Sequence, residues 1–226
     1  IYATPDGVRF SDGLTNPMGN CTLGYDGTTL TINCKTTVPQ EYNIKIALKE
    51  GVSLRITAEQ GGAYQLGHNV TITGTADVTI EQNDNTLVAG DLTVNCTGAL
   101  KITGSSTYGV YGALNVQNSS SVEVTGSCDK WLIGSGNITS DGTVTLQNSA
   151  YDGAAVAGDL TVTAGRKVAA RAVQTAVGGN ADITTADDVA LSAYDRTSSN
   201  RKDTASVAVV GKLTVHNSAN VFVTIW

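Results

Sequence analysis

Apolar residues recur along this chain in triplets that read in-out-in, the period of two expected for a strand with one buried face. One set of triplets starts at Leu30, Ile46, Val70, Leu92, Leu114, Ile138, Leu160, Ala181 and Leu213. A second set follows eight residues later, at Val38, Leu54, Val78, Leu100, Val122, Val168, Val189 and Val221. Only the Ile138 unit departs, reaching Val144 after six residues. From Val70 to Ala181 the steps between first-set starts are 22, 22, 24, 22 and 21 residues, with 16 and 24 before and 32 after. The third position of the first set is apolar in every unit but that of Ser140, which marks a core column. The middle position is Thr31, Ala47, Thr71, Thr93, Asn115, Thr139, Thr161, Asp182 and Thr214, which suits a wet outer face.

A third element closes each unit. Four residues before the next first-set start stand Leu66, Val88, Val110, Val156, Val177 and Val209, with Gly134 the exception. Two residues before it stand Gly90, Gly112, Gly136, Gly158, Gly179 and Gly211, with His68 the exception, and Asn or Asp usually follows. Gly before Asn or Asp reads as a corner with positive φ. Three short strands and three corners per turn of roughly 22 residues predict an all-β, single-stranded parallel β-helix, or β-solenoid. About nine coils follow from the nine first-set starts. At the inter-strand spacing of ~4.8 Å they make a rod on the order of 40 Å long, right-handed by the usual crossover preference. No stretch carries a helical apolar stripe with caps. Residues 1–29 fall outside the register and are expected to cap the N-terminal end, with 30–226 forming the β-helix as one domain. The stretch from Val221 to Trp226 stops inside a second-set strand, an apolar end that further chain or another subunit would cover.

Composition narrows the class. Of 226 residues 15% are charged, against about 25% in an average soluble domain. The chain contains 31 Thr and 25 Gly, and its aromatic content is only 5%. Low charge with abundant Thr, Gly and Asn looks like an extracellular β-protein. The net charge of −6 and the lack of a Lys/Arg cluster argue against a nucleic-acid partner, which needs its phosphates neutralised. No apolar run approaches the ~18 residues of a membrane helix, so no membrane insertion is expected in this segment.

Four cysteines, Cys21, Cys34, Cys96 and Cys128, allow three pairings, and no CxxC spacing suggests zinc. Cys21 lies in the expected cap, 13 residues before Cys34 in the first coil, so a Cys21–Cys34 bridge would pin the two together. Closing such a loop is worth roughly 3 kcal/mol in the chain-entropy view. Cys96 and Cys128 read as free, partly buried thiols.

The motif Gly-Asp-Leu-Thr-Val occurs at 90–94 and again at 158–162. With its repeat length it resembles bacterial extracellular parallel β-helix proteins: adhesin-like surface proteins and polysaccharide-binding β-helices of pectate-lyase-like shape. The resemblance spans about residues 30–226 and is one of repeat style. It implies secretion, display on a bacterial cell surface, and binding of a polysaccharide or host glycoprotein.

Lyase chemistry would need carboxylates for Ca²⁺ beside a basic proton acceptor, and hydrolysis paired carboxylates across the scissile bond. The nearest set is Asp182, Asp187 and Asp188 with Arg166, Lys167 and Arg171 one coil earlier. The hydrolase signatures Asn-Thr-Asp, His-Gly and Arg-Ile-Lys are missing, so no catalytic residue, metal site or cofactor is expected. His68 and His216 pair with nothing at a recognisable spacing.

Aromatics carry more. Tyr64, Tyr108, Tyr111, Trp131, Tyr151 and Tyr194, six of the twelve, all fall between a second-set strand and the next first-set start. They are expected along one flank of the rod, where flat rings with polar tips suit the C–H faces of sugars, Trp131 being the foremost exposed platform. The alternative is that they shield coil edges. The outward Thr ladder would suit ice if a second Thr column ran beside it. The positions two along, however, are Asn33, Lys49, Thr73, Asn95, Gln117, Asp141, Thr163, Thr184 and His216, a mixed column. Strand propensity explains the Thr residues. The 32-residue step carries a polar loop at 192–203, a place where binding functions often sit. The expected function is a non-catalytic, secreted surface module that binds polysaccharide or glycoprotein. The alternatives are a rigid stalk within a larger surface protein and a β-helix lyase or hydrolase.

Overall fold

Twenty-one strands and no helix make up the described part of the chain, which in this computed structural model comprises residues 2–4, 7–9, 21–34, 43–58, 66, 68–83, 86–194 and 206–225. All the strands hydrogen-bond into one sheet that winds as a parallel β-helix. Face A stacks Ile44–Leu48, Val70–Gly74, Leu92–Cys96, residues 114–117, residues 136–140, Leu160–Ala164, Ala181–Thr185 and Leu213–His216. Face B stacks Thr29–Cys34, Ser53–Ala58, Val78–Asn83, residues 100–105, residues 121–126, Val144–Asn148, Val168–Ala172, Val189–Ala193 and Val221–Ile225. Face C is narrower and stacks Val88, Val110, Ile133, Val156, Val177 and Val209. The strands Ala99–Ser119 and Ser121–Ser140 bend round all three faces without a break.

Each turn repeats one set of inward side chains. In the turn that begins at Leu92, the residues Leu92, Val94, Leu100, Ile102 and Val110 are all buried. Each such burial stabilises by ~1.5–3 kcal/mol before chain entropy is counted. The contacts run mainly to the turns directly above and below, as in any solenoid. Among the described residues six turns, from Val70 to Val209, are paired on all three faces, and further turns flank them. The expected nine coils therefore overcount the complete ones.

The register corrects the sequence alignment in three places. Leu30 stacks on Leu54, which puts its triplet on face B and removes the anomalous 16-residue step; Val38 lies outside the described residues. Ile46 pairs with Ile72 and Ile138 with Val162, so the true starts are Ile44 and Gly136. Gly136 hides the pattern because Leu160 fills its place: a Cβ there would lie 2.7 Å from Leu160 Cδ1. Ser140 then falls at the strand's end, level with Ala164, and Ile133 occupies the face C position assigned to Gly134.

The corner glycines also have a different cause. Among the described residues the positive-φ glycines are Gly27, Gly51 and Gly104, none of which belongs to the Gly–Asn/Asp corners. What those corners require is space. The Asp91 amide donates to Asn69 Oδ1 at 2.9 Å, Ala113 to Asp91 at 2.8 Å, Asn180 to Asp159 at 2.7 Å and Lys212 to Asn180 at 2.9 Å. A Cβ on Gly90, Gly112 or Gly179 would sit 2.3 Å from the Oδ1 below it. Where His68 replaces the glycine, the equivalent bond from Asn69 N to Asn43 Oδ1 stretches to 3.3 Å.

At the N-terminal end, Tyr2–Thr4 pairs in parallel with Ile44–Leu48, and Gly7–Arg9 lies antiparallel to it. Cys21–Tyr25 runs antiparallel along Thr29–Cys34, at the edge of face B. At the other end the inward residues Val221, Val223 and Ile225 of face B are exposed.

Candidate functional site

Three of the six expected aromatics meet on face C. Tyr108 and Trp131 are register partners on adjacent turns, with ring centroids 4.5 Å apart. Tyr111 stands edge-on to Tyr108 at 5.2 Å and 5.5 Å from Trp131. Two local features bring them together. The register shifts between Ser106 and Tyr108, where the next turn takes one extra residue beside the exposed Asp129 and Lys130. Gly109, between the rings, lets the turns close up, since a Cβ there would lie 2.2 Å from the Leu132 carbonyl oxygen. The next partner in the row is Ala154, so the aromatic stack is two turns deep.

The rings are tilted at 47–75° to one another and form a knob rather than one flat plate. Trp131, expected as the most exposed platform, is half-buried, and its indole N–H donates to the Tyr111 carbonyl at 3.3 Å. Tyr111, 50% exposed, is the ring offered to solvent. Tyr151 and Tyr194 are exposed at corners that follow face B, and among the described residues neither stacks on the trio. Tyr64 lies outside the described residues, as does the loop from 195 to 203.

Faces A and B present different outer surfaces. On the five face A strands from Val70–Gly74 to Leu160–Ala164, the outward side chains are Thr71, Thr73, Thr93, Asn95, Asn115, Gln117, Asn137, Thr139, Thr161 and Thr163. None is charged, and among the described residues none makes a side-chain hydrogen bond. Sequence reasoning missed this array because the two-residue slips at Ile46 and Ile138 placed Lys49 and Asp141 in its second column. Both belong to corners, and Ala47 and Thr139 take their places. Face B, by contrast, pairs Arg55 Nη2 with both Glu81 oxygens at 3.0 and 3.1 Å, and Lys101 with Glu123 at 3.6 Å.

Arg166 and Lys167 lie at the corner one turn below Asp187 and Asp188, yet among the described residues no ion pair joins the acidic candidates to the basic ones. Asp182 points out from face A and meets His216 Nε2 at 3.1 Å one turn on. Arg171 stands on face B, in register with Gln147 and Ser192. Asp188 accepts from Asn220 Nδ2 at 2.8 Å, and Asp187 from the Asp188 amide at 2.8 Å. Among the described residues no group of three or more His, Cys, Asp or Glu could hold a metal ion. His68 is exposed at a corner.

The backbone register sets Cys21 directly opposite Cys34 in the antiparallel pair. Their side chains lie outside the described residues. Cys96 and Cys128 are free and buried. Burial pushes the Cys96 thiol up to about 11, and burial also raises Cys128 against the opposing effect of its hydrogen bond with Ser106. Both shifts disfavour the thiolate, the form in which a cysteine attacks.

Compared with protein-family models, with curated proteins and with solved structures, the chain matches none.

Proposed function

We propose that this chain is a non-catalytic module of a secreted bacterial surface protein, one that binds a polysaccharide or a host glycoprotein through the Tyr108–Tyr111–Trp131 knob. The observation that carries the reading is the gathering of three aromatic rings, 4.5–5.5 Å apart, on two adjacent turns of a rigid stack. A half-exposed Tyr111 offers a ring face to sugar C–H groups and a hydroxyl to their oxygens. Its neighbours already hold it in place, so little side-chain freedom is lost when a ligand docks. A single shallow contact of this kind binds weakly, and many copies on one surface strengthen it by multivalency.

The test is a glycan and matrix-protein binding screen with wild type, Tyr111→Ala and Trp131→Ala, each checked for an unchanged melting transition. Loss of roughly tenfold in affinity, about 1.4 kcal/mol, is expected for Tyr111→Ala. Binding that ignores both changes sinks the aromatic reading. The stalk alternative draws on the six turns, whose continuous strand pairing suits a rigid spacer. It takes over if the screen finds no ligand at all.

A further inference from the structure

Face A holds a second surface, on a different side of the rod from the aromatic knob. Its five central strands present two parallel columns of Thr, Asn and Gln over ~19 Å of rod, with adjacent rungs ~4.8 Å apart and columns ~7 Å apart. Two properties distinguish this from an ordinary wet sheet face. It contains no charge, although Lys45 stands at one end and Asp182 with His216 at the other. Its hydroxyls and amides are also uncommitted. The corner Asn and Asp side chains bond the turn above, and face B bonds charge to charge, but the ten outward side chains of these five strands make no such bonds among the described residues.

We infer that face A is a docking surface for a neutral polysaccharide lying along the rod axis; this rests on the polysaccharide reading above and assigns its class. Charge complementarity selects the occupant. An acidic polymer needs cations to neutralise it, and this face supplies none on a chain of net charge −6. A neutral chain of hydroxyl groups needs donors and acceptors repeated along its length, and Thr hydroxyls and Asn amides each supply both. The regular rungs fix these groups in position before the ligand arrives, and their repeat along the rod suits a polymer that repeats along its own length.

The test uses the whole chain in affinity electrophoresis through dextran and in depletion by suspended cellulose, with polygalacturonate and alginate as acidic probes. Four proteins are compared: wild type, the face A double variant Thr139→Glu/Thr163→Glu, the face B variant Gln147→Glu, and Tyr111→Ala. A neutral probe is expected to hold wild type and Gln147→Glu alike, at low and high salt, and the double variant about tenfold more weakly. Should the double variant lose its melting transition, Thr139→Lys alone gives the same readout with the opposite charge. Retention by acidic probes only, or a face A variant that binds neutral probes like wild type, overturns the inference. If face A variants bind normally while Tyr111→Ala does not, the aromatic reading survives and this one falls. Loss in the face A variants with Tyr111→Ala unaffected does the reverse. Shaping of ice crystals that depends on Thr139 and Thr163, with no polymer bound, would overturn it in favour of an ice lattice.

Discussion

Faces A and B are built from the same repeat and lead to different surfaces. Both stack parallel strands in register, and both bury a Val/Ile/Leu column. Outside, face B uses neighbouring rungs to pair Arg55 with Glu81 and Lys101 with Glu123, whereas face A leaves its central rungs uncharged and unpaired. Inside, the order reverses. Face B keeps a branched residue at its column start in Val122, Val144 and Val168, while face A drops to Gly136 and has Leu160 lean into the gap. A solenoid's outer surface is thus free to vary because its stability sits elsewhere, in the inward column and the corners.

The largest expected effect tests the inward difference. Leu160 fills two places at once, its own and that above Gly136, so Leu160→Ala should cost about 3–5 kcal/mol by denaturant unfolding. Gly136→Leu alone should overpack and cost ~1–3 kcal/mol. The double variant should recover part of the loss, because the new leucine enters the space that Leu160 vacates. Strictly additive losses would mean that the two positions do not share one cavity.

The corner that enters face A gives the next effect. Asp159→Ala removes the acceptor of the Asn180 amide and leaves an empty space below Gly179, for an expected loss of ~1–3 kcal/mol. Asp159→Asn keeps the oxygen and should hold most of the stability. If Asn and Ala variants melt together, the ladder contributes through charge rather than through the hydrogen bond.

These two cases also show what was legible in the chain. The fold was, because Val, Ile and Leu at period two and a repeat near 22 residues admit few architectures. The register was not fully, because a glycine at a core position is invisible to an apolar-pattern reading; Gly136 gave no sign that Leu160 would replace its side chain. The corner glycines were found for the wrong reason, since sequence shows that small residues are needed but not whether φ or a neighbouring Oδ1 demands them. The six aromatics were legible as a segment class, but only Tyr108, Tyr111 and Trp131 among the described ones meet. Which rings meet depended on one extra residue before Trp131 and on Gly109, a matter of register between turns. The face A array stayed hidden behind the same two-residue slip that misplaced Ile46 and Ile138.

The corner leaving face A gives a smaller effect. Asn118 holds φ at 62° and Asn217, at the same place in its turn, 61°. Asn tolerates the left-handed region and β-branched residues do not, so Asn118→Val should cost ~1–2 kcal/mol. Asn118→Gly should be close to neutral. A valine variant that melts with wild type would mean the corner can take another path.

The smallest expected effect lies on face B and concerns its charges. Arg55 and Glu81 form a two-pronged contact, but their side chains are 53% and 43% exposed, so water and ions screen the attraction. Glu81→Gln should therefore cost no more than ~1 kcal/mol, and less still at high salt. The matching change on face A, Gln117→Glu, adds a charge where nothing opposes it and should shift the melting temperature little. The two variants should differ in salt response: raising the ionic strength should narrow the gap between Glu81→Gln and wild type and leave Gln117→Glu almost unmoved. A Glu81→Gln penalty that persists in high salt would show that the contact works through its hydrogen-bond geometry. Face B would then be held by specific pairs, and its contrast with the uncommitted side chains of face A would be sharper than charge alone makes it.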